Sequence, residues 1–355
     1  MAVDTFGITQ LHTTKTSGWE WTSTWHNGVA RSIKPTSSYM YPPVDGVNRD
    51  SQDSQFLVLG YGDRQTYHIA GDGICRWRAY NSGVGSNSDL TTRWYVMDYP
   101  SGLANPWEIK SQDPPRKQWT NVEFTGYVRP WKVLTDGAIR LAARSNHFNI
   151  HYCECDGSGY DFQISNGNST QQSARAGKEV MHDEYTQWSQ DPEAPTPNTT
   201  NNNQFFHSNL TSESNLGPFY KFSNNTYAEP TKWIGMKFVL RTMTAAGHVR
   251  QEGYIDRSNG RNGGNWVKVV DFIDNGIDGG IFKGTVKSDL EARWAMTGGC
   301  GEDFALNTSR FVSTPIINQY NPVLLRSAYA CYFRAERLGS MDLKWFSCRE
   351  VDPLP

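Results

Sequence analysis

Apolar and polar residues alternate with a period of two in several segments of the chain, and apolar stripes with the helical period are almost absent. Successive side chains of a β-strand point to opposite faces, so a strand with one buried face has this pattern. In Trp119–Arg129, Val122, Phe124 and Val128 fall on one face and Glu123 falls on the other. Further strands are predicted at Ala138–Arg144, Trp233–Arg241, His248–Asp256, Trp266–Phe272 and Met341–Val351.

The strands follow one another at short spacing and are separated by Gly/Asn turns such as Ser258-Asn259-Gly260. This arrangement predicts an all-β fold, a β-sandwich or jelly roll with long loops. Residues 189–214 are rich in Pro, Thr, Asn and Ser, and strands of similar type flank them on both sides. We interpret this stretch as a polar loop insertion in a single domain spanning residues 1–355, with a domain boundary as the alternative.

The charge balance excludes several classes of protein. The chain has 34 Lys+Arg and 36 Asp+Glu, a formal net charge of −2, so it lacks the basic excess of a phosphate-neutralising nucleic-acid binder. No run of about 18 apolar residues predicts a membrane span. Aromatic residues make up 13% of the chain, which argues against disorder. We therefore expect a folded monomer that binds neither nucleic acid nor membrane.

The cysteine count and the N-terminus bear on the compartment. Six cysteines allow up to three disulfides, and the sequence leaves all 15 connectivities open. Two or three structural disulfides in a secreted, extracellular protein are the preferred interpretation. The start MAVDTFGITQ shows no signal peptide, so we expect a mature form with a replaced start, with a cytoplasmic protein as the alternative. The cysteines are Cys75, Cys153, Cys155, Cys300, Cys331 and Cys348.

Two segments bear on metal binding. His147 and His151 precede Cys153 and Cys155 with a spacing that is not a standard zinc pattern, so bridged thiols are the preferred interpretation. Residues 274–280 (DNGIDGG) resemble part of a calcium loop but lack its full acidic spacing. A turn is preferred there, and a structural calcium ion is the alternative. No cofactor is required for the chemistry considered next.

Polar residues are concentrated between Arg140 and Tyr185, a stretch rich in Arg, His, Tyr and Lys. This mixture suits β-elimination of a uronic-acid polymer. Cationic groups stabilise the enolate-like charge beside the sugar carboxylate, a base removes the C5 proton, and an acid protonates the leaving oxygen. Glycoside hydrolysis usually needs two carboxylates that flank the bond. The E-x-E and D-x-x-E strand patterns are absent, which leaves Glu123 with Glu252 as the alternative pair.

Four residues of this stretch are the catalytic candidates. His147 and His182 are the candidate bases, because the pKa of histidine suits proton transfer near neutral pH. Tyr160 is the candidate proton donor, and Arg144 is the candidate carboxylate binder because a guanidinium matches carboxylate geometry. Each has a structural alternative: a loop cap for the histidines, a packed ring for Tyr160 and a surface salt bridge for Arg144.

A second group is assigned to the binding of sugar hydroxyls or carboxylates. If the strand register holds, the strand residues of this group line one sheet face, and the alternative is an exposed, salt-bridged face. For the adjacent Lys178 and Glu179 the alternative is a solvated charge pair. The group consists of Arg140, Lys178, Glu179, Arg250, Glu252 and Tyr254.

Several segments together resemble a family of secreted concanavalin-like β-jelly-roll proteins. The resemblance spans nearly the whole chain, and it implies a single jelly-roll domain. Related members include polysaccharide lyases acting on glucuronan and alginate. The R-x-E-L-R strand and the Q-[IV]-H triplet of alginate lyases are absent. The segments are DTFGITQLHTTKTSGWEW (4–21), QWTNVEFTGYVR (118–129), ARSNH (143–147), CDGSGY (155–160), ARAGKEVMH (174–182), WIGMKFVLRT (233–242), VRQEGYID (249–256), NWVKVVDFID (265–274) and DLKWFSCREV (342–351).

The leading functional hypothesis is therefore a secreted polysaccharide lyase that cleaves a uronate-containing anionic polysaccharide by β-elimination. A non-catalytic carbohydrate-binding protein and a surface adhesion sandwich are the alternatives. The 13 Trp residues bear on all three, because aromatic rings stack on sugar faces as well as filling cores. Most of them are assigned to packing, including Trp119, Trp233 and Trp266 at strand starts.

Overall fold

The fold is antiparallel β throughout the part of the chain that the structure describes. This structure is a computed structural model, and it describes residues 2–33, 49–61, 65–79, 91–98, 117–145, 159–166, 172–179, 204–207, 233–274 and 330–355. The helical content of these ranges is one 3₁₀ turn at Arg261–Gly263, so none of their helices is long and apolar enough to cross a membrane. The predicted all-β class is confirmed.

Two of the predicted strands are parts of a single strand. Residues 122–129 of the segment predicted at 119–129 and the whole segment predicted at 138–144 lie in β8. The strand β11 lies within the predicted loop insertion, most of which is outside the described residues. The strands are β1 (Glu20–Thr22), β2 (Arg31–Ile33), β3 (Arg49–Asp50), β4 (Asp53–Tyr61), β5 (Gln65–Ile69), β6 (Ile74–Ala79), β7 (Thr91–Met97), β8 (Val122–Ser145), β9 (Gly159–Asn166), β10 (Gln172–Glu179), β11 (Gln204–His207), β12 (Ile234–Met243), β13 (His248–Asp256), β14 (Trp266–Asp274) and β15 (Ala330–Glu350).

The long strands β8 and β15 pair with each other and belong to two layers. In layer A, the first half of β8 pairs with β12, followed by β13 and β14, and the second half of β15 pairs with β1 and with β6, followed by β5 and β2. In layer B, the second half of β8 pairs with β9, followed by β10 and β11, and the first half of β15 pairs with β7, followed by β4 and β3. Each layer is therefore built on one half of the same strand pair.

The two layers pack face to face. The Phe162 ring of β9 lies so close to Gly253 of β13 that a Cβ atom there would be 2.5 Å from it, so glycine is required. The Tyr67 hydroxyl of β5 hydrogen-bonds the Thr92 hydroxyl of β7 at 3.1 Å. Buried apolar side chains from both layers form one continuous core, which includes Trp119 as expected. The fold is thus a two-layer sandwich.

The strand β15 bends back on itself at the corner of the sandwich. The Phe333 ring in layer B meets the Phe346 ring in layer A edge to face, with centroids 5.2 Å apart. The register of β15 against β8 shifts repeatedly between Glu336 and Met341. Such bulges bend strands and let them pass from one packed sheet to the next. As a result, residues from the two halves of β15 face each other across the core.

Candidate functional site

Arg144, the predicted carboxylate binder, lies in the interior. Its side chain is fully buried and donates to the Thr120 carbonyl at 2.5 Å, to Asn121 Oδ1 at 3.1 Å and to Thr242 Oγ1 at 2.6 Å. Burial lowers the pKa of this guanidinium to about 10. In this structure Arg144 therefore ties β8 to β12, and it presents no surface to a polymer.

Tyr160, the predicted proton donor, is also fully buried. It lies opposite Ala143 of β8 and donates to Asp274 Oδ2 of β14 at 2.6 Å, across the two layers. His147 and His182, the predicted bases, lie outside the described residues. Within the ranges that the structure describes, the predicted catalytic residues Arg144 and Tyr160 form no exposed group, and the roles of all four candidates in elimination stay predictions.

Arg140 does not share a face with Arg250, Glu252 and Tyr254, so that expectation is wrong. Its strand half belongs to layer B, where it lies opposite Arg334 of β15, and its Nη1 atom is 3.8 Å from Asp161 Oδ2. The other three residues lie on β13 in layer A. Sequence alternation could not reveal this, because the bend that separates the layers falls inside one continuous strand. The predicted binding residues Lys178 and Glu179 belong to β10, and their side chains are outside the described part.

The β13 residues predicted to bind sugar form an ion-pair network with β12 and β14. Glu252 accepts hydrogen bonds from Lys268 Nζ at 2.5 Å, from Arg241 Nη2 at 3.0 Å and from the Tyr254 hydroxyl at 3.1 Å. Burial disfavours the ionised form of Glu252, but its bonds with Lys268 and Arg241 hold its pKa below the usual value. Arg250, Glu252 and Tyr254 are therefore neighbours on one face, as predicted. The Glu252 carboxylate is engaged by groups of the protein itself.

Arg250 completes this network at the solvent side. Its guanidinium makes a bidentate pair with Asp271 of β14, at 2.7 and 2.6 Å, and Lys268 approaches the same carboxylate at 3.0 Å. These three side chains are each about one-third exposed, between 30% and 37%. The arrangement matches the salt-bridged sheet face that was the structural alternative for these residues.

An enclosed charge cluster, consisting of Glu123, Lys237 and Arg349, lies on the same outer side of layer A. Glu123 is 2.8 Å from Lys237 Nζ and 2.8 Å from Arg349 Nη2, and all three side chains are buried. The Glu123 carboxylate also accepts the backbone N–H groups of Leu11 and His12 at 3.1 and 3.0 Å. Burial alone would raise the pKa of Glu123, but Lys237 and Arg349 lower it below its usual value. The cluster therefore fixes the N-terminal segment onto the sheet.

A different environment surrounds Lys344, at the second half of β15. Its Nζ atom lies 3.4 Å from the Trp345 ring centroid, 4.4 Å from that of Trp233 and 5.8 Å from that of Tyr127. Within the described ranges, Lys344 forms no ion pair with a carboxylate. Burial, with a smaller effect of the Arg129 charge, lowers its pKa to about 8. We call Lys344, Trp345, Trp233, Tyr127 and Arg129 the aromatic–cation site.

The backbone at this site is strained. Trp345 has a φ of 54°, in the left-handed region that bulky residues rarely adopt, and the register of β15 against β8 shifts between Lys344 and Ser347. A β-bulge re-aims side chains and is frequent beside functional sites. Lys344 and Trp345 are both partly exposed. The bulge thus keeps a cation and an indole ring at the surface of an otherwise buried strand.

Arg129 adds a second cation to the aromatic–cation site. Its guanidinium lies 4.5 Å from the Trp233 ring centroid and pairs with Asp342 at 2.7 Å. Sequence reasoning missed this site, although it contained a signal. In DLKWFSC, the apolar Leu343 and Phe346 are three positions apart, so a regular alternation would place them on opposite faces, yet both lie in the core. A break in the alternation of this kind predicts a bulge.

Comparisons with known proteins assign no family to this chain. No family model matches it, and no curated protein matches it. Among solved structures, it is similar to a Lotus tetragonolobus seed lectin (isoform), with 8% sequence identity and a TM-score of 0.29. That match covers 90% of this chain and 97% of the lectin. A likeness at this TM-score carries no conclusion about binding or catalysis, so the functional argument rests on the residues themselves.

Proposed function

We propose that the protein is a carbohydrate-binding β-sandwich that binds an acidic polysaccharide at the aromatic–cation site. The observation that carries this proposal is the environment of Lys344, a half-buried cation that faces three aromatic rings and pairs with no carboxylate of the described residues. A cation that is partly removed from water without an opposite charge is energetically costly. A ligand carboxylate would supply that opposite charge.

The rings supply the other half of the recognition. The partly exposed Trp345 indole can stack on the apolar face of a sugar ring, while Lys344 beside it binds the carboxylate of the same or the next sugar. Arg129 lies close enough to add positive charge to the site. A neutral sugar would use the ring alone. The arrangement therefore predicts a preference for uronate-containing polymers over neutral ones.

Cleavage by β-elimination is a finer proposal within this one. It requires a base and an acid beside the bound carboxylate. The predicted donor Tyr160 and the predicted carboxylate binder Arg144 are buried, and the predicted bases His147 and His182 are outside the described residues. Binding is therefore the function that the described geometry supports best, and elimination is measured as a separate property.

The test compares variants at one ligand site. Wild-type protein, Lys344→Met and Trp345→Ala are titrated with oligomers of alginate, glucuronan and pectate, and with a neutral glucan, by calorimetry. Lys344→Met loses a charge-assisted hydrogen bond to the ligand, so its affinity for an acidic oligomer should be about tenfold or more weaker than that of wild type. Lys15→Met, which removes an exposed lysine, is the matched control and should bind like wild type.

The pH dependence gives an independent readout. Since the pKa of Lys344 is about 8, affinity for an acidic oligomer should fall as pH rises through 8 and the ammonium loses its proton. Lys344→Arg should keep its affinity to higher pH, because arginine stays charged. Unchanged acidic-glycan binding by Lys344→Met, or a flat wild-type profile between pH 7 and 9, contradicts the proposal. Ultraviolet absorbance of an unsaturated sugar product in the same mixtures would show that the protein also cleaves the polymer by β-elimination.

A further inference from the structure

Two buried cysteines from opposite layers of the sandwich lie in contact. Cys331 belongs to the first half of β15 and Cys348 to the second half, and both are fully buried in the common core. Their side chains are within hydrogen-bonding contact. In the described residues, each of them carries a free thiol. The sequence alone gave no reason to choose this pair among the 15 connectivities.

The bend of β15 explains why these thiols meet. Phe333 and Phe346, each two positions nearer the bend, also face each other across the core. Cys331 and Cys348 are therefore the next facing pair along the same doubled strand. The strand path therefore brings the two cysteines to facing positions in the core.

We propose that Cys331 and Cys348 are a site of oxidative modification and form an interlayer disulfide when the chain folds under oxidising conditions. The two thiols lose two protons and two electrons, and a disulfide donor such as oxidised glutathione accepts them and yields two glutathione thiols. The bond closes the loop from residue 331 to residue 348, which includes the corner of the sandwich.

Because both thiols are buried in the folded protein, the disulfide must form at an early stage of folding. The thiolate is the species that attacks a disulfide donor, and a donor must also reach it. Burial, together with the contact with Cys331, raises the pKa of Cys348 well above its usual value, and neither thiol is accessible in the folded protein. The disulfide therefore forms before the core closes, and the folded, reduced protein resists later oxidation.

Peptide mapping of the wild-type chain tests this directly. Denatured, reduced protein is refolded in a glutathione redox buffer or in dithiothreitol, digested without reduction and analysed by mass spectrometry. A linked peptide containing Cys331 and Cys348 is expected only after refolding in the glutathione buffer. Absence of this link, or pairing of either cysteine with Cys75, Cys153, Cys155 or Cys300 instead, overturns the proposal.

Thermal unfolding gives a second measurement. The oxidised wild type should melt about 4 °C above the reduced protein, because the crosslink restricts the unfolded chain. Cys75→Ala is the matched control, since it removes a third buried thiol that faces Leu343 of β15 in register, and the same gain should persist there. The double variant Cys331→Ala/Cys348→Ala should show no gain. An equal gain in the double variant would contradict the assignment.

Discussion

The enclosed charge cluster and the aromatic–cation site lie on strands of the same layer, and they treat buried cations in opposite ways. In the enclosed cluster, Lys237 and Arg349 each lie 2.8 Å from the Glu123 carboxylate. In the aromatic–cation site, Lys344 lies among aromatic rings and forms no ion pair with a carboxylate of the described residues. The first arrangement satisfies its charges within the chain, and the second leaves one charge for a ligand.

The carboxyl of Asp53 shows the same difference between paired and unpaired buried charges, here for an acidic group. Its carboxyl is largely buried, it accepts a hydrogen bond from Trp21 Nε1 at 2.8 Å, and burial raises its pKa to about 6. The cations around Glu123 instead lower the pKa of that carboxyl. A buried charge beside an opposite charge is thus held in its ionised form. One without a close opposite charge, such as Asp53 or Lys344, shifts toward its neutral form.

The largest expected effect is on the enclosed cluster. Glu123→Gln leaves Lys237 and Arg349 buried without their anion, so the free energy of unfolding should fall by about 3–5 kcal/mol. Urea titration at pH 7 measures this loss. The exposed Glu20→Gln is the control and should change stability by less than about 0.5 kcal/mol. A loss at Glu123 as small as at Glu20 would remove the distinction between the two regions.

The same variant has a defined pH dependence. The pKa of Glu123 is lower in the folded chain than in the unfolded chain, so its contribution is present above about pH 4.5 and is lost as pH falls toward the folded pKa. Wild type and Glu123→Gln should therefore converge in stability under acidic conditions. Parallel curves down to pH 3 would contradict this.

A smaller effect of opposite sign is expected at Asp53. Its folded pKa is raised, so the stability it contributes is present below about pH 3.8 and is lost as pH rises through 6. Asp53→Asn should therefore gain about 3 kcal/mol relative to wild type between pH 3.5 and pH 7. Denaturant titrations at the two pH values measure this gain, with wild type as the reference. A difference that does not change with pH would show that the carboxyl keeps an ordinary pKa.

The smallest change in stability is expected at Lys344. Lys344→Met loses cation–π attraction of about 0.5–2 kcal/mol but also removes a charge that is costly to bury, so the net change should stay within about 1 kcal/mol. Thermal or urea unfolding checks this. A loss comparable to that of Glu123→Gln would show that Lys344 is held for stability, and the comparison between the two regions would fail.

The sequence predicted strands where residues alternate clearly, and His248–Asp256 matches β13 from end to end. The predicted segments fall on β8, β12, β13, β14 and β15, and none of them covers β1–β7 or β9–β11. It could not predict which halves of β8 and β15 share a layer, since bends at bulges leave little trace in residue type. For the same reason Arg140 was assigned to the wrong face. The aromatic–cation site was missed because Lys344 and Trp345 form it together with Trp233 and Arg129. Those two residues are far away in sequence and close in space.

The strand pair shared by both layers also bears on how the molecule opens. Every other described strand is connected through hydrogen-bonded neighbours to β8 or β15. Detaching either layer would therefore strip hydrogen bonds from strands on which the remaining layer is built. Amide protons of β10 and β13, at opposite walls of the sandwich, should then exchange through one common cooperative transition, and the protein should have no half-folded resting state.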